Sequence, residues 1–477
     1  MDLAVAGSNP VGHPIFALVS RVRLSNGIVE PKIVEIVESL MLAENTQTAP
    51  VTAEKHHITF FRQTGWMMMA STASGMIMYL VHPIVSRGMP ESEYGVFTTL
   101  LQVGTMMTIP AGGLQPVIAQ QQSRAITGEQ QREVASEFRA VMQAMFFIWL
   151  FFAAITGIFW KQAIMGLKIQ NPMALVMTLL IGLASLWSPL VQGMLQGRQN
   201  FLWLGWMTIS NGVGRLAVVS IVVLIFHGWA AGAMGSVLAG MGALIVIGLW
   251  QSRDVWSIAG TRVHWADWLS RVIPLTLAVG AGNFMLSADM VFTQKYFPGE
   301  KTGYYAAAGM IGRALVFLTQ PLVMVMFPKL ARASATGEKS NALALTLGTT
   351  VFFCGCAALG ATILPWLPMR VMYPPAYLVA AQLVPWFAWC MLPLTLSQVM
   401  INSLMARARF LSVPFLVVVT VGYGFALSTM GRHYGGAADT FSGFRHMIQT
   451  IGVFNLLMFG VCAAFTWVIP GKDRKLD

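Results

Sequence analysis

The sequence predicts an all-α polytopic membrane protein with about twelve spanning helices, and three observations carry that prediction. First, 56% of its 477 residues are hydrophobic and only 10% are charged, with a mean hydropathy of +0.65. A soluble domain carries roughly 25% charged residues, so this chain lacks the supply to cover a wet surface. Second, apolar stretches of about twenty residues, the length that crosses a hydrocarbon core, recur from Gly65 onward. Third, the polar/apolar alternation of a membrane barrel does not occur in the chain. Lipid offers no partner to backbone N–H and C=O groups, and a helix satisfies them within one segment.

Residues 1–60 differ from the rest, being rich in Pro, Asn, Thr and charge, with one weakly amphipathic run from Ile33 to Leu42. They read as a disordered cytosolic tail, without the charged start, apolar core and small-residue cleavage site of a signal peptide. The predicted spans follow at 64–86, 95–120, 136–160, 173–195, 203–226, 229–250, 268–293, 304–328, 342–365, 377–402, 410–429 and 447–469. The longest loops between them, 251–267 and 430–446, hold only seventeen residues each, too few for a water-soluble catalytic domain.

Orientation follows from the excess of Lys and Arg in cytosolic loops. With the N-terminus inside, twenty of the thirty Lys and Arg fall inside, eight fall outside, and Arg215 and Arg313 lie within spans. Both termini are therefore expected in the cytoplasm, which requires an even number of spans. The net charge of +11 comes from residues scattered singly over short loops, so no nucleic-acid partner is expected.

An internal repeat organises the chain. Pro90-Glu-Ser-Glu-Tyr-Gly95 precedes the second span and Pro298-Gly-Glu-Lys-Thr-Gly303 the eighth, an offset of 208 residues. Leu195-Gln-Gly-Arg198-Gln-Asn-Phe201 and Leu404-Met-Ala-Arg407-Ala-Arg-Phe410 share L-x-x-R-x-x-F at an offset of 209, as do Gly128-Glu129 and Gly337-Glu338. The expected organisation is a tail (1–60), an N-terminal six-helix lobe (61–250), a cytosolic linker (251–267), a C-terminal six-helix lobe (268–470) and a short cytosolic tail (471–477). Six is even, so both halves run in the same direction. Duplicated bundles of this kind underlie alternating-access transporters. Pro110, Gly112 and Gly113 interrupt the second span and Pro321 the eighth. Paired interruptions mark candidate hinges, although ordinary membrane-helix kinks explain the same pattern.

Ionisable residues deep in a membrane are costly and usually face a cavity or a partner. Those expected deep here are Arg215, Asp289 and Arg313; His82 is placed near the outer end of the first span, and Arg62 just before it. At about 1.5 Å per residue, Asp289 lies about 9 Å below Lys295 and Arg313 about 15 Å below Gly303. The two can pair, which makes Asp289 either a packing partner or an ion-coupling group. Arg215 and Arg313 can form a cationic wall, since a guanidinium fork donates two parallel hydrogen bonds to a phosphate. His82 reads as an interfacial residue rather than a proton relay. Cys354, Cys356, Cys390 and Cys462 lie in apolar stretches and read as packing residues. The chain holds no G-x-x-x-x-G-K-[ST], no H-E-x-x-H and no metal-ligand spacing, so an enzyme, a metal site or a cofactor is not expected.

Several of these stretches resemble a known family. Ser86 through Phe97 resembles the first external loop of polysaccharide flippases, where a Pro-acidic-acidic-Tyr-Gly turn enters the second helix. Asp289 through Tyr296-Phe-Pro, Gly303-Tyr-Tyr-Ala-Ala-Ala308 and Phe327-Pro-Lys-Leu330 look like that family's seventh and eighth helices, and Gln196 to Phe201 its fourth loop. The resemblance is to the Wzx-like branch of the multidrug/oligosaccharidyl-lipid/polysaccharide exporter superfamily and covers roughly 60–470. It implies a V-shaped, two-lobed bundle in the bacterial cytoplasmic membrane that flips a polyprenyl-pyrophosphate oligosaccharide to the outer leaflet. It further implies a cationic cavity, matched by Arg215 and Arg313 and more weakly by Arg62, with Asp289 standing where many such flippases carry an aspartate. Expected partners are the lipid-linked oligosaccharide, membrane lipids and polysaccharide polymerase or export machinery, with the protein itself a monomer. The alternatives are an ion-coupled multidrug exporter of the same superfamily, and a non-transporting scaffold of a polysaccharide assembly.

Overall fold

The computed structural model describes residues 65–67, 69–336, 342–436 and 439–469. Arg62, the predicted N-terminal tail, Gly337-Glu338 of the repeat and the predicted tail at 471–477 lie outside them. Every described regular element is helical, and the described residues from Trp66 onward form one compact unit. In chain order the helices are α1 (Gly65–Gly88), α2 (Glu91–Met107), α3 (Leu114–Arg124), α4 (Gly128–Ile158), α5 (Trp160–Leu167), α6 (Met173–Gly197), α7 (Phe201–Leu224) and α8 (Trp229–Gln251). The second half continues with α9 (Trp265–Tyr296), α10 (Gly299–Thr336), α11 (Ala342–Ile363), α12 (Trp366–Met372), α13 (Val384–Ala406), α14 (Val413–Tyr434) and α15 (Thr440–Ala463).

Among the described residues, ten segments are long and apolar enough to cross a membrane. The broken pair α2/α3 and the long α10 supply the two further predicted spans, so the protein is a multi-pass membrane protein of about twelve spans. Large apolar side chains such as Phe147, Phe151, Phe352, Phe353, Val421 and Phe425 are exposed along α4, α11 and α14. In lipid such faces meet acyl chains, and helix association rests on packing and interhelical hydrogen bonds. The helices outrun the predicted spans at several ends. α4 starts eight residues earlier than its predicted span, at Gly128, because Thr127 and Gln130 form a capping box that satisfies its first N–H groups.

The two halves pack in parallel ways. α6 is the hub of the first, touching α2, α3, α4 and α8, and α13 is the hub of the second, touching α10, α11 and α15. The L-x-x-R-x-x-F landmarks explain themselves here. Each follows its hub helix with the same turn: Asn200 N–H donates to Leu195 C=O (3.0 Å), and Arg409 N–H to Leu404 C=O (2.9 Å). Gln199 (φ 55°) and Ala408 (φ 53°) take the left-handed conformation at equivalent positions, as a Schellman helix stop requires. In the first copy Arg198 forks onto Asp254 with two 2.8 Å bonds, tying this turn to the 251–267 linker.

The second landmark pair marks where the halves meet. α2 packs on α9 and α10, and Gly95 and Gly303 face one another at the starts of α2 and α10. A methyl on Gly303 would overlap the Glu91 carbonyl, and one on Gly95 would overlap the Thr302 hydroxyl. The repeat therefore preserves glycine where two helix starts need backbone-to-backbone approach.

The interruption at Pro110 is present as a 3₁₀ turn (Ile109–Ala111) between α2 and α3, and Gly113 N–H donates to Thr276 Oγ1 of α9 at 3.1 Å. Gly112 and Gly113 sit tight against α9: a Cβ on Gly113 would come within 2.8 Å of the Val272 carbonyl. At Pro321 the expected interruption is not a break, since α10 runs continuously from Gly299 to Thr336. Proline removes one hydrogen bond there without ending the helix, as membrane helices tolerate.

Gly303→Ala is expected to lower the thermal midpoint in detergent, by an overpacking cost of about 1–3 kcal/mol. Gly348→Ala, where a Cβ meets open space, is expected to leave it nearly unchanged. Equal midpoints for the two variants would show that the helix starts are not in close register. The Arg198 guanidinium holds the Asp254 carboxyl below the usual carboxylate range. A depressed carboxylate stabilises the fold above its unfolded pKa, and the effect is lost as pH falls through the lower folded value. The side chains are 24% and 55% exposed, so solvent screening limits the pair to about 0–1 kcal/mol. The small midpoint gap between wild type and Asp254→Asn should thus close below about pH 4; a gap that persists there would remove the ion pair as its cause.

Candidate functional site

α1, α7 and α10 bring the deep charges into one interior region. On α7 the buried stripe Gly212, Arg215, Val219 and Val223 recurs at helical spacing, and Gly212 backs onto Ser74 of α1. Two turns further along α1 lies His82, 3% exposed, within electrostatic reach of both Arg215 and Arg313. One arginine comes from each half of the chain, with His82 acted on by both.

The two arginines are in opposite situations. Arg313 is buried and fully engaged: Nη2 donates to both Asp289 oxygens (2.7 and 2.6 Å) and Nε to the Leu286 carbonyl at 3.0 Å. The Tyr305 hydroxyl donates to Asp289 Oδ2 at 3.0 Å. Consecutive helices α9 and α10 place the pair 24 residues apart in sequence, and the arginine's length bridges their difference in depth. Arg215 is 7% exposed, yet its Nε and Nη2 have no hydrogen-bond partner among the described residues. A charge held in low dielectric without a partner is costly, and that cost falls on Arg215 and not on Arg313. The sequence placed the two as equals; the neutralising carboxylate separates them.

His82 is buried in the protein. Its Nδ1 shares a 3.0 Å hydrogen bond with the Tyr94 hydroxyl, which in turn shares one of 3.0 Å with Tyr373. That chain crosses from the first half to the second. Tyr79 Oη donates to the Met310 carbonyl, Arg87 Nη1 to the Met372 carbonyl at 3.3 Å and Lys168 Nζ to the Phe297 carbonyl. These four bonds tie the halves alongside Gly113 to Thr276 and Gln294 to the Leu167 carbonyl, and three of the four lie at or beside the connections that link α1 to α2, α5 to α6, α9 to α10 and α11 to α13. Tyr94 belongs to the Pro-acidic-acidic-Tyr-Gly turn, and the second acid of that turn has a role too. Glu93 is 2% exposed, and its Oε2 accepts from the Ala230 N–H at 3.2 Å, so it stands at the positive end of α8. Neither role was visible in the spacing, because both partners are distant in sequence. No group of His, Cys, Asp or Glu able to hold a metal ion occurs among the described residues.

The polysaccharide biosynthesis protein family model matches residues 60–334, more than half of the chain. The chain belongs to this family. Its members fall within the multidrug/oligosaccharidyl-lipid/polysaccharide exporter superfamily, and the match places the chain in the polysaccharide flippase branch. Solved structures of that superfamily share the fold. A multidrug resistance MATE family transporter in an inward-facing conformation superimposes with a TM-score of 0.64 at 9% identity, covering 82% of this chain and 93% of that one. The lipid II flippase MurJ, in an inward closed conformation, gives 0.63 at 12% identity over 87% and 89%. A superfamily transporter from Pyrococcus furiosus, described as having a binding pocket of reversed polarity, gives 0.59 at 13% over 85% and 93%. Identities this low speak for the fold alone. No curated protein matches the chain.

The energetics of the Arg313–Asp289 pair are testable. Removing one partner strands the other charge and costs about 3–5 kcal/mol, whereas replacing both with apolar groups of similar volume is often neutral. Arg313→Met and Asp289→Leu are each expected to reduce folded yield and thermal midpoint sharply, and the double variant to recover most of the loss. Additive losses in the double variant would show that the two charges do not depend on one another.

Proposed function

We propose that this protein flips a lipid-linked, polyprenyl-pyrophosphate oligosaccharide across the bacterial cytoplasmic membrane for polysaccharide biosynthesis and export. Two six-helix lobes, 61–250 and 268–470, alternate access to an interior site, with both termini in the cytoplasm and no enzymatic activity. The observation that carries this reading is the buried Arg215 guanidinium with two unpartnered N–H-bearing nitrogens. A diphosphate supplies the paired acceptor oxygens that such a fork matches, and it brings the charge that a partly desolvated cation favours. Membership of a polysaccharide biosynthesis family supports a glycan on the other side of that diphosphate. Arg62 is a further candidate contact at the foot of the first helix. Arg313 acts differently in this reading: with Asp289 already on its fork, it holds α9 to α10 and contributes field rather than direct contacts. The 3₁₀ break at Pro110, with Gly112 and Gly113 against α9, is the candidate hinge; the continuous α10 makes Pro321 at most a bending point. The protein works as a monomer, with the polymerase or export machinery taking the product.

Reconstitution into liposomes with a fluorescent polyprenyl-pyrophosphate oligosaccharide tests the proposal. Protein-dependent arrival of the lipid in the opposite leaflet is expected. Arg215→Ala should slow it roughly tenfold to a hundredfold, since a charged hydrogen bond contributes about 1.5–3 kcal/mol, at unchanged folded yield. Arg215→Lys should restore it only in part. Wild-type translocation by the Ala variant would remove Arg215 from the site. Absence of any lipid translocation, with efflux of a cationic dye under an ion gradient, would overturn the flippase reading in favour of a drug exporter.

A further inference from the structure

A second basic site lies apart from Arg215, at the end of the bundle where the halves are tied. A cleft of about 700 Å³ opens between the last turn of α1 and the segment around α12, lined by Arg87, Arg370, Tyr373, Pro374, Pro375 and Leu378. We infer that this cleft binds the phosphate of a membrane lipid, held jointly by Arg87 from the first half and Arg370 from the second.

Three features of the cleft carry the inference. The first is unbalanced charge. Arg87 spends only Nη1, on the Pro83 and Met372 carbonyls (3.0 and 3.3 Å), which fixes the side chain and leaves Nε and Nη2 without a partner among the described residues. Arg370 makes no hydrogen bond or ion pair there. No carboxylate lines the cleft; the nearby Glu91 acts on Tyr377 and Tyr304 and pairs with neither arginine.

The second feature is a fixed floor. The Tyr373 hydroxyl is anchored on Tyr94 at 3.0 Å, and its ring packs 5.4 Å from that of Tyr377, so the cleft keeps its shape without a ligand. Preorganised donors lose little freedom on binding.

The third is an apolar rim. Leu378 lines the cleft and is 37% exposed, and Trp366, Leu367 and Val371, on the same short helix as Arg370, are 45%, 44% and 68% exposed. Tryptophan favours the headgroup level of a bilayer, and basic pockets between membrane helices hold lipid phosphates. A free phosphate would use the arginines and leave the rim idle, whereas a lipid uses both. With the proposed orientation the cleft faces the outer leaflet, and its occupant links the two halves at that end. The inference does not depend on what the protein transports.

The test needs only purified full-length protein in detergent and three probes: dioctanoyl phosphatidic acid, dioctanoylglycerol and inorganic phosphate. The thermal midpoint and the apparent dissociation constant from its titration are read for wild type, Arg370→Gln, Arg370→Lys and Arg215→Ala. Phosphatidic acid is expected to raise the wild-type midpoint, and dioctanoylglycerol not to. Arg370→Gln should weaken the apparent affinity about tenfold or more, Arg370→Lys by less, and Arg215→Ala should leave it unchanged. Arg370 is exposed, so its variants are expected to fold. Inorganic phosphate acting as well as phosphatidic acid through Arg370 would assign the same basic site to free phosphate and overturn the lipid. Stabilisation that survives Arg370→Gln, or vanishes in Arg215→Ala, would place the phosphate elsewhere and overturn the site. No stabilisation by either phosphate probe would overturn it as well.

Discussion

A hydrocarbon interior leaves each buried polar group to find its partner within the protein, and that constraint shapes this molecule more than any single contact. Backbone groups meet it by forming helices, which is why every described regular element is helical. Charged side chains meet it or remain as exposed debts. Arg313 meets it through Asp289 and the Leu286 carbonyl, and Asp289 in turn accepts from the Tyr305 hydroxyl, so α9 and α10 are held together. Arg215 does not meet it. The contrast separates two arginines of similar burial: a carboxylate neutralises one, and the other has no such partner among the described residues.

The constraint also explains how much was legible in advance. Span count and class follow from hydropathy, because lipid leaves little choice of architecture. The repeat was readable because the residues that carry it are turn and close-approach residues, whose demands are local. Arg198 and Arg407 each lead into a left-handed residue at a Schellman stop, and Gly95 and Gly303 each sit where a methyl would collide. Local geometry of that kind leaves a pattern at fixed spacing.

What the sequence hid depends on partners far apart in the chain. The sequence does not show that His82 bonds to Tyr94, and through it to Tyr373. Glu93 reads as part of a turn until the start of α8 is found against it. Arg87 and Arg370, 283 positions apart in number, were counted only as two of the external charges, and the cleft they share exists only in three dimensions. Pro321 misled in the other direction, since a proline alone does not reveal whether a helix ends or bends around it.

The ties between the halves bear on how the proposed transport would proceed. Tyr94 to Tyr373, Tyr79 to Met310, Arg87 to Met372 and Lys168 to Phe297 join the halves, and under alternating access they must part when access switches. Each is a side-chain hydrogen bond, with a net contribution of about 0.5–1.5 kcal/mol, somewhat more where a cation donates. Together they amount to a few kcal/mol, the range in which differential binding of one ligand shifts a two-state equilibrium. The close approach of Gly95 and Gly303 acts differently. It is a steric contact, of Gly303 with the Glu91 carbonyl and of Gly95 with Thr302, and not a hydrogen bond. A diphosphate on Arg215, near His82 at the inner end of the Tyr94–Tyr373 chain, is well placed to set that balance. In the proposed reading, the field of Arg215 reaches His82 and through it the Tyr94–Tyr373 hydrogen bonds that tie the halves.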